Sequence, residues 1–80
     1  MGEKMERYTL KQLKSFVDNS CAIDISRYSD DDIFKLKREH NIIKIGYCIN
    51  KFGCNGLLLQ DYDTKILYVV ISRVSPLWLF

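Results

Sequence analysis

At Ile42 the hydrophobic pattern of the chain changes its period. Upstream, Leu10, Leu13 and Val17, with Phe16 beside them, form one apolar face at helical spacing, and Ile33, Phe34 and Leu36 anchor a second. Downstream, Ile43, Ile45, Tyr47 and Ile49 alternate with Lys44, Gly46, Cys48 and Asn50, the period of a strand. A single switch of this kind separates helices from strands along the chain and places it in the α+β class.

Both helices carry start signals. Thr9 is positioned as an N-cap with Gln12 at N3, and Tyr8 at N′ can staple onto Leu13 at N4. Tyr28-Ser29 repeats the device, with Ile33 as the staple partner. Asp30, Asp31 and Asp32 fill the first turn of the second helix, and Lys37, Arg38 and His40 the last, as the helix dipole favours. Asn19-Ser20 closes the first helix, and Asn41 is the expected left-handed residue closing the second. The short apolar connector Cys21 to Ile25 is compatible with a helical turn or a brief edge strand.

After the strand beginning at Ile42, Asn50 to Gly56 reads as a turn, Leu57 to Gln60 as a strand, Asp61 to Lys65 as a turn and Ile66 to Arg73 as a strand. Pro76 ends pairing, and Leu77-Trp78-Leu79-Phe80 forms an apolar tail. The expected fold is therefore ααβββ: two N-terminal helices packed on one face of a three-stranded antiparallel C-terminal sheet. Residues 1–7 are expected to be a flexible N-terminus, and 1–80 a single small domain.

The 80 residues carry 48% hydrophobic side chains and a net charge of +2, so the chain has the material for a core and no general attraction to nucleic acid or anionic membranes. The charged start MGEKMERYTL lacks the apolar stretch of a secretory signal, and the apolar run from Ile66 to Ile71 is too short to span a bilayer. Gly2 lacks the Ser or Thr that a myristoylation signal places at position 6. Cys21, Cys48 and Cys54 are an odd number without framework spacing, which reads as free thiols in a cytoplasm. Lys outnumbers Arg eight to four and Ala occurs once, a bias of AT-rich coding sequence and hence of a low-GC bacterium or its phages and plasmids.

Chemistry-bearing groups all have plainer readings. Cys21, His40, Cys48 and Cys54 have zinc-ligand chemistry without the paired spacing of zinc sites, and no metal or cofactor is expected. Cys54 with His40 as base would make a cysteine nucleophile, but no flanking signature accompanies either; glycines 53 and 56 then simply serve the turn. The acidic triplet 30–32 is explained as a helix start. Gly53-Cys54-Asn55-Gly56 fits neither phosphate-binding glycine pattern. Tyr47, Phe52, Tyr62 and Tyr68 with Lys44, Lys51, Lys65 and Arg73 would suit stacking of unpaired bases on a sheet face, although Tyr47 shares its face with isoleucines.

The strongest signal is surplus apolar surface. The strand from Ile66 is apolar on both faces, whereas two helices on one face leave the other uncovered. Either the tail folds over it or a partner does. The expectation is a non-enzymatic protein-binding module that contacts its partner through Lys51, Phe52, Asn55, Tyr62, Arg73, Trp78 and Phe80. The partner is another protein, such as a host nucleoprotein complex, or a second copy in a homodimer. A phage-borne stoichiometric inhibitor such as an anti-CRISPR protein is one concrete form. A nucleic-acid-binding accessory protein and a cysteine-dependent enzyme are the alternatives.

Overall fold

The structure, a computed structural model, describes residues 6–49 and 55–72. Its elements are β1 (Glu6–Arg7), α1 (Leu10–Asp18), β2 (Ala22–Asp24), α2 (Asp30–Glu39), β3 (Ile42–Ile49), β4 (Asn55–Asp61) and β5 (Leu67–Ser72). The two helices and the β3-β4-β5 antiparallel meander match the expected elements. The architecture does not: the sheet has five strands in the order β1-β3-β4-β5-β2 and is mixed, rather than three-stranded and antiparallel after two helices. The connector at Cys21 to Ile25 supplies β2, parallel to β5, and Glu6–Arg7, expected within a flexible N-terminus, pairs parallel with Gly46 and Tyr47 of β3. Strands of two and three residues are too short to show a period of their own, so only pairing to a longer neighbour reveals them.

This topology decides where the helices lie. The β1-α1-β2 connection carries the chain from one sheet edge to the other, and β2-α2-β3 brings it back beside β1. β1, β2, β3 and β5 all run in one direction. Two crossovers of the same hand that travel in opposite directions over such strands must use opposite faces, and parallel crossovers are almost always right-handed. The cores follow that rule. Leu13 of α1, flanked by Leu10, Phe16 and Val17, packs with Cys48, Leu58 and Val69 on one face. Ile33 and Leu36 of α2 pack with Ile25, Leu57, Leu59, Tyr68 and Val70 on the other.

The helices therefore do not share a face, and the inferred surplus on the back of the sheet is absent from the described residues. β4 and β5 are apolar on both faces because both faces are covered.

The strict alternation expected through β3 is also broken. Lys44 pairs with Leu59 and Gly46 with Leu58, which leaves Ile45 as an extra residue in a β-bulge. Ile45 thus joins the α1 side while Tyr47 joins the α2 side. A Cβ on Gly46 would lie 2.4 Å from the Tyr8 ring, and one on Gly56 would lie 2.7 Å from Leu13 Cδ1. Gly56 thus does more than serve a turn: it sits within β4 and lets α1 approach the sheet.

The capping interactions form as read, and Tyr8 packs against the Leu13 cluster, whereas Tyr28 is exposed and stands outside the Ile33 cluster. Thr9 Oγ1 accepts from Gln12 N–H at 3.1 Å while Gln12 Oε1 accepts from Thr9 N–H at 2.8 Å; Ser29 and Asp32 exchange the equivalent pair. The helix ends differ. α1 closes with Ser20 in the left-handed region at φ 60°, its N–H reaching Val17 O and Cys21 N–H reaching Phe16 O, a Schellman arrangement. α2 ends on an extended His40 instead, and Asn41 is not left-handed, because the chain must run straight into β3.

The β5 edge beyond β2 is sealed by the residues that leave β2. Ile25 N–H donates to Val69 O at 2.9 Å, and Ile71 N–H donates to Ser26 Oγ at 2.8 Å. Ser26 Oγ–H in turn donates to Asp24 Oδ1 at 2.5 Å. This relay satisfies donors that would otherwise invite strand pairing at that point.

Candidate functional site

The chemistry of the described residues gathers at the end of the sheet formed by the β4–β5 turn. Asp61 N–H donates to Ile66 O, Lys65 N–H donates to Asp61 O at 2.8 Å, and Lys65 takes a left-handed φ of 67° to close the loop. Asp61 is the only buried polar or charged residue among those described, at 1% exposure. Its Oδ1 accepts the Asp63 N–H at 2.9 Å and the Thr64 N–H at 3.4 Å, an Asx-type turn. Its Oδ2 lies 3.0 Å from His40 Nδ1. Beside it, Asn41 O accepts from Tyr62 N–H, and Asn41 Nδ2 donates to Asp63 Oδ2 at 2.8 Å. The end of α2 is thereby tied to the hairpin.

Burial pushes the Asp61 carboxyl up, but the Asp63 and Thr64 donors and the His40 charge outweigh it and hold the group below its ordinary value of 3.8. A carboxylate whose folded value is depressed stabilises the fold above its unfolded value, and that contribution is lost as pH falls through the folded value. Stability is therefore expected to drop as pH is lowered from about 4. Asp61→Asn should lower the urea midpoint at pH 7 and flatten this acid limb. An unchanged acid limb in the variant would show that Asp61 does not carry it. Tyr68, buried in the α2-side core, is raised by that burial first and then by the charge of Asp61 and by Tyr28.

Next to this polar turn lies an apolar corner. Ile23 of β2 is 47% exposed and Ile66 43% exposed. Ile23 pairs with Tyr68, and Ile66 precedes Tyr68 by two positions, so both belong to the α2 side of the sheet by strand alternation. Both lie outside the cluster that α2 covers there. With Ser20, Cys21, Ala22, Leu67 and Lys65 they line a shallow groove of about 340 Å³. Lys65 Nζ sits 4.4 Å from the centre of the Tyr62 ring, and Tyr62 is 57% exposed, so the aromatic ring continues the corner. A second groove, of about 310 Å³, lies along α2 between Tyr28, Asp32, Lys35, Leu36 and Glu39 and mixes both signs of charge.

Of the residues expected to bind a partner, Tyr62 stands at this corner. Asn55 lies half-buried at the opposite end of β4, paired with Ile49 and Ser72, about 20 Å away at the usual rise per strand residue. The structure does not bring these two together. Lys51, Phe52, Arg73, Trp78 and Phe80 lie outside the described residues, as does Cys54. Ile23 and Ile66 are not among the expected contact residues, and Lys65 is expected only as a basic companion of the aromatics in nucleic-acid stacking. A lone isoleucine in a five-residue connector carries no periodic signal, and Ile66 reads as the first residue of a strand.

The other candidate groups are dispersed. Tyr47 packs against the α2-side core that contains Tyr68, so neither offers an open ring on a sheet face. Cys48 is buried and Cys21 exposed. His40, the one histidine of the chain, points Nδ1 at Asp61. Among the described residues no three His, Cys, Asp or Glu side chains gather into a metal-binding group, and no helix is long and apolar enough to cross a membrane. No protein family, curated protein or solved structure matches the chain.

Proposed function

We propose that the chain is a small non-enzymatic α+β protein-binding module that meets its partner at the corner formed by Ile23, Ile66 and Tyr62. The observation that carries this reading is the continuity of three exposed apolar side chains, bridged by Lys65, beside a sheet whose described core residues pack under α1 on one face and α2 on the other. Exposed apolar side chains are ordinary when scattered; gathered beside a cation and an exposed tyrosine they have the composition of a contact patch. The polar groups nearby support a binding role, since Asp61, His40, Asn41 and Asp63 are engaged with one another in holding the turn. Stoichiometric inhibition of host machinery, as by an anti-CRISPR protein, is the version of this reading that small size and lysine-rich, alanine-poor composition support.

The test compares the wild-type chain with the double variant Ile23→Asp/Ile66→Asp, both immobilised and exposed to a bacterial lysate. Both side chains are substantially exposed, so the variant is expected to keep its circular dichroism spectrum and to lose at least about tenfold in retention of a stoichiometric partner, a loss of about 1.4 kcal/mol. Equal retention by a folded variant would remove the corner from the reading.

A further inference from the structure

We propose that His40 and Asp61 form a proton-operated clasp between the end of α2 and the β4–β5 turn, and that its charge state sets how firmly the turn presents Tyr62 and Lys65 to a partner. This inference rests on the protein-binding reading and adds a control on the same corner.

The clasp joins a side chain open to solvent to one that is buried. The His40 side chain is 42% exposed, and its Nδ1 lies 3.0 Å from Oδ2 of the buried Asp61. The backbone is fixed on both sides of this contact: His40 N–H donates to Leu36 O, and Tyr62 N–H donates to Asn41 O. Asp61 itself closes the turn. Its carboxylate accepts from the Asp63 and Thr64 N–H groups, and its carbonyl accepts from Lys65 N–H. Whatever holds Asp61 therefore also holds Tyr62 and Lys65, whose side chains meet at the corner.

The Asp61 carboxyl is held below its ordinary value, so it stays an ionised acceptor through the range in which histidines gain and lose a proton, about pH 5–8. A neutral imidazole offers that carboxylate an ordinary Nδ1–H hydrogen bond, whereas an imidazolium offers a charge-assisted one, roughly twice as strong. The other ionisable groups near the contact are Asp63 in the turn, Tyr68 of β5, Tyr28 before α2, and Lys44, two residues along β3 from the Ile42 that pairs with Asp61. Lys37, Arg38 and Glu39 share the last turn of α2 with the clasp. All are of types that titrate outside that range, so the imidazole is the group whose charge changes within it. The added attraction is present below the range and lost as pH rises through it; at the acid end it disappears with the Asp61 charge, as pH falls through the depressed carboxyl value. The clasp is therefore tightest at about pH 5–6.

The test is amide hydrogen exchange of the full chain at about pH 5.5 and about pH 8, each rate corrected for the intrinsic pH dependence of exchange. The Tyr62, Asp63 and Lys65 amides, which are bonded within the clasp, are expected to be at least about threefold better protected at the lower pH. The Ser20 and Cys21 amides, which close α1 far from the clasp in sequence, should not follow them. His40→Gln keeps a side-chain donor without a titrating charge and should hold the turn amides at the same protection at both pH values. Equal protection of the turn at both pH values in the wild-type chain, a change of the same size at Ser20 and Cys21, or a difference that survives His40→Gln would overturn the proposal. The first two outcomes need no variant, so they decide the matter even where His40→Gln does not fold. The two readings fail separately. If Ile23→Asp/Ile66→Asp abolishes partner retention while the turn ignores pH, the clasp is wrong and the binding corner stands. If the turn follows pH while the double variant keeps its partner, the corner is wrong, and with it the presenting role of the clasp.

Discussion

Replacing Leu13 with Ala is expected to destabilise the fold by about 2–5 kcal/mol, measured as a fall in urea midpoint with little change in slope. Leu13 has no exposed surface and is the only fully buried side chain that α1 contributes. It reaches the sheet where Gly56 provides no side chain, and it touches the cluster of Cys48, Leu58 and Val69. Removing its isobutyl group leaves a cavity that the backbone of β4 cannot fill by small movements, so the cost lies above the transfer free energy alone. A domain of this size has about 4–12 kcal/mol of stability at typical values per residue, so the loss takes a large fraction of it. The conservative Leu13→Met should cost less than about 1.5 kcal/mol. A loss below about 1 kcal/mol for Leu13→Ala would mean that α1 is not held to the sheet as described.

The second large effect is expected at Gly46. A Cβ there would stand 2.4 and 2.6 Å from two atoms of the Tyr8 ring and 3.2 Å from Leu58 Cβ. The ring has little freedom to leave: it packs edge-on against Phe16 with centroids 5.7 Å apart, and its hydroxyl donates to Glu6 Oε2 at 3.3 Å. Tyr8 N–H also donates to Tyr47 O, which fixes the chain at the end of β1. Gly46→Ala should therefore cost about 1–3 kcal/mol. The same substitution in a Tyr8→Ala background should cost at least about 1 kcal/mol less, a coupling that a double-mutant cycle reads directly. Strict additivity of the two changes would show that the ring and the glycine do not meet.

Both effects concern how α1 sits on the sheet, and neither was visible in the helix itself. The residues of α1 announce a helix and its start because capping is local: Thr9 and Gln12 satisfy each other within one turn. The same holds for Ser29 and Asp32. The glycines that receive the Tyr8 ring and Leu13 of α1 lie in β3 and β4, where they resemble turn residues or gaps in a strand pattern until those side chains are placed over them. The bulge at Ile45 has the same character. A period-two sequence runs through it without interruption, and only the pairing of Lys44 with Leu59 and Gly46 with Leu58 exposes the extra residue.

The candidate corner was legible only at Tyr62, whose position in a polar turn marks an exposed aromatic. His40 and Asp61 are distant in sequence, and each reads locally as something simpler, a helix end and a turn residue. Their contact depends on β3 and β4 pairing in register, with Ile42 opposite Asp61.

What the residues decide on their own is the part governed by interactions between near neighbours: two helix starts, the change to strand period at Ile42, and a last strand apolar on both sides. What only the tertiary structure decides is the number of strands, the face each helix covers and the location of the exposed apolar corner. Two-residue and three-residue strands exist only through their partners, and the direction of each crossover sets the face its helix must take. The apolar excess of β5 was therefore a true property of the sequence, and its meaning, a strand buried between two helices rather than an open face, followed from the path of the chain.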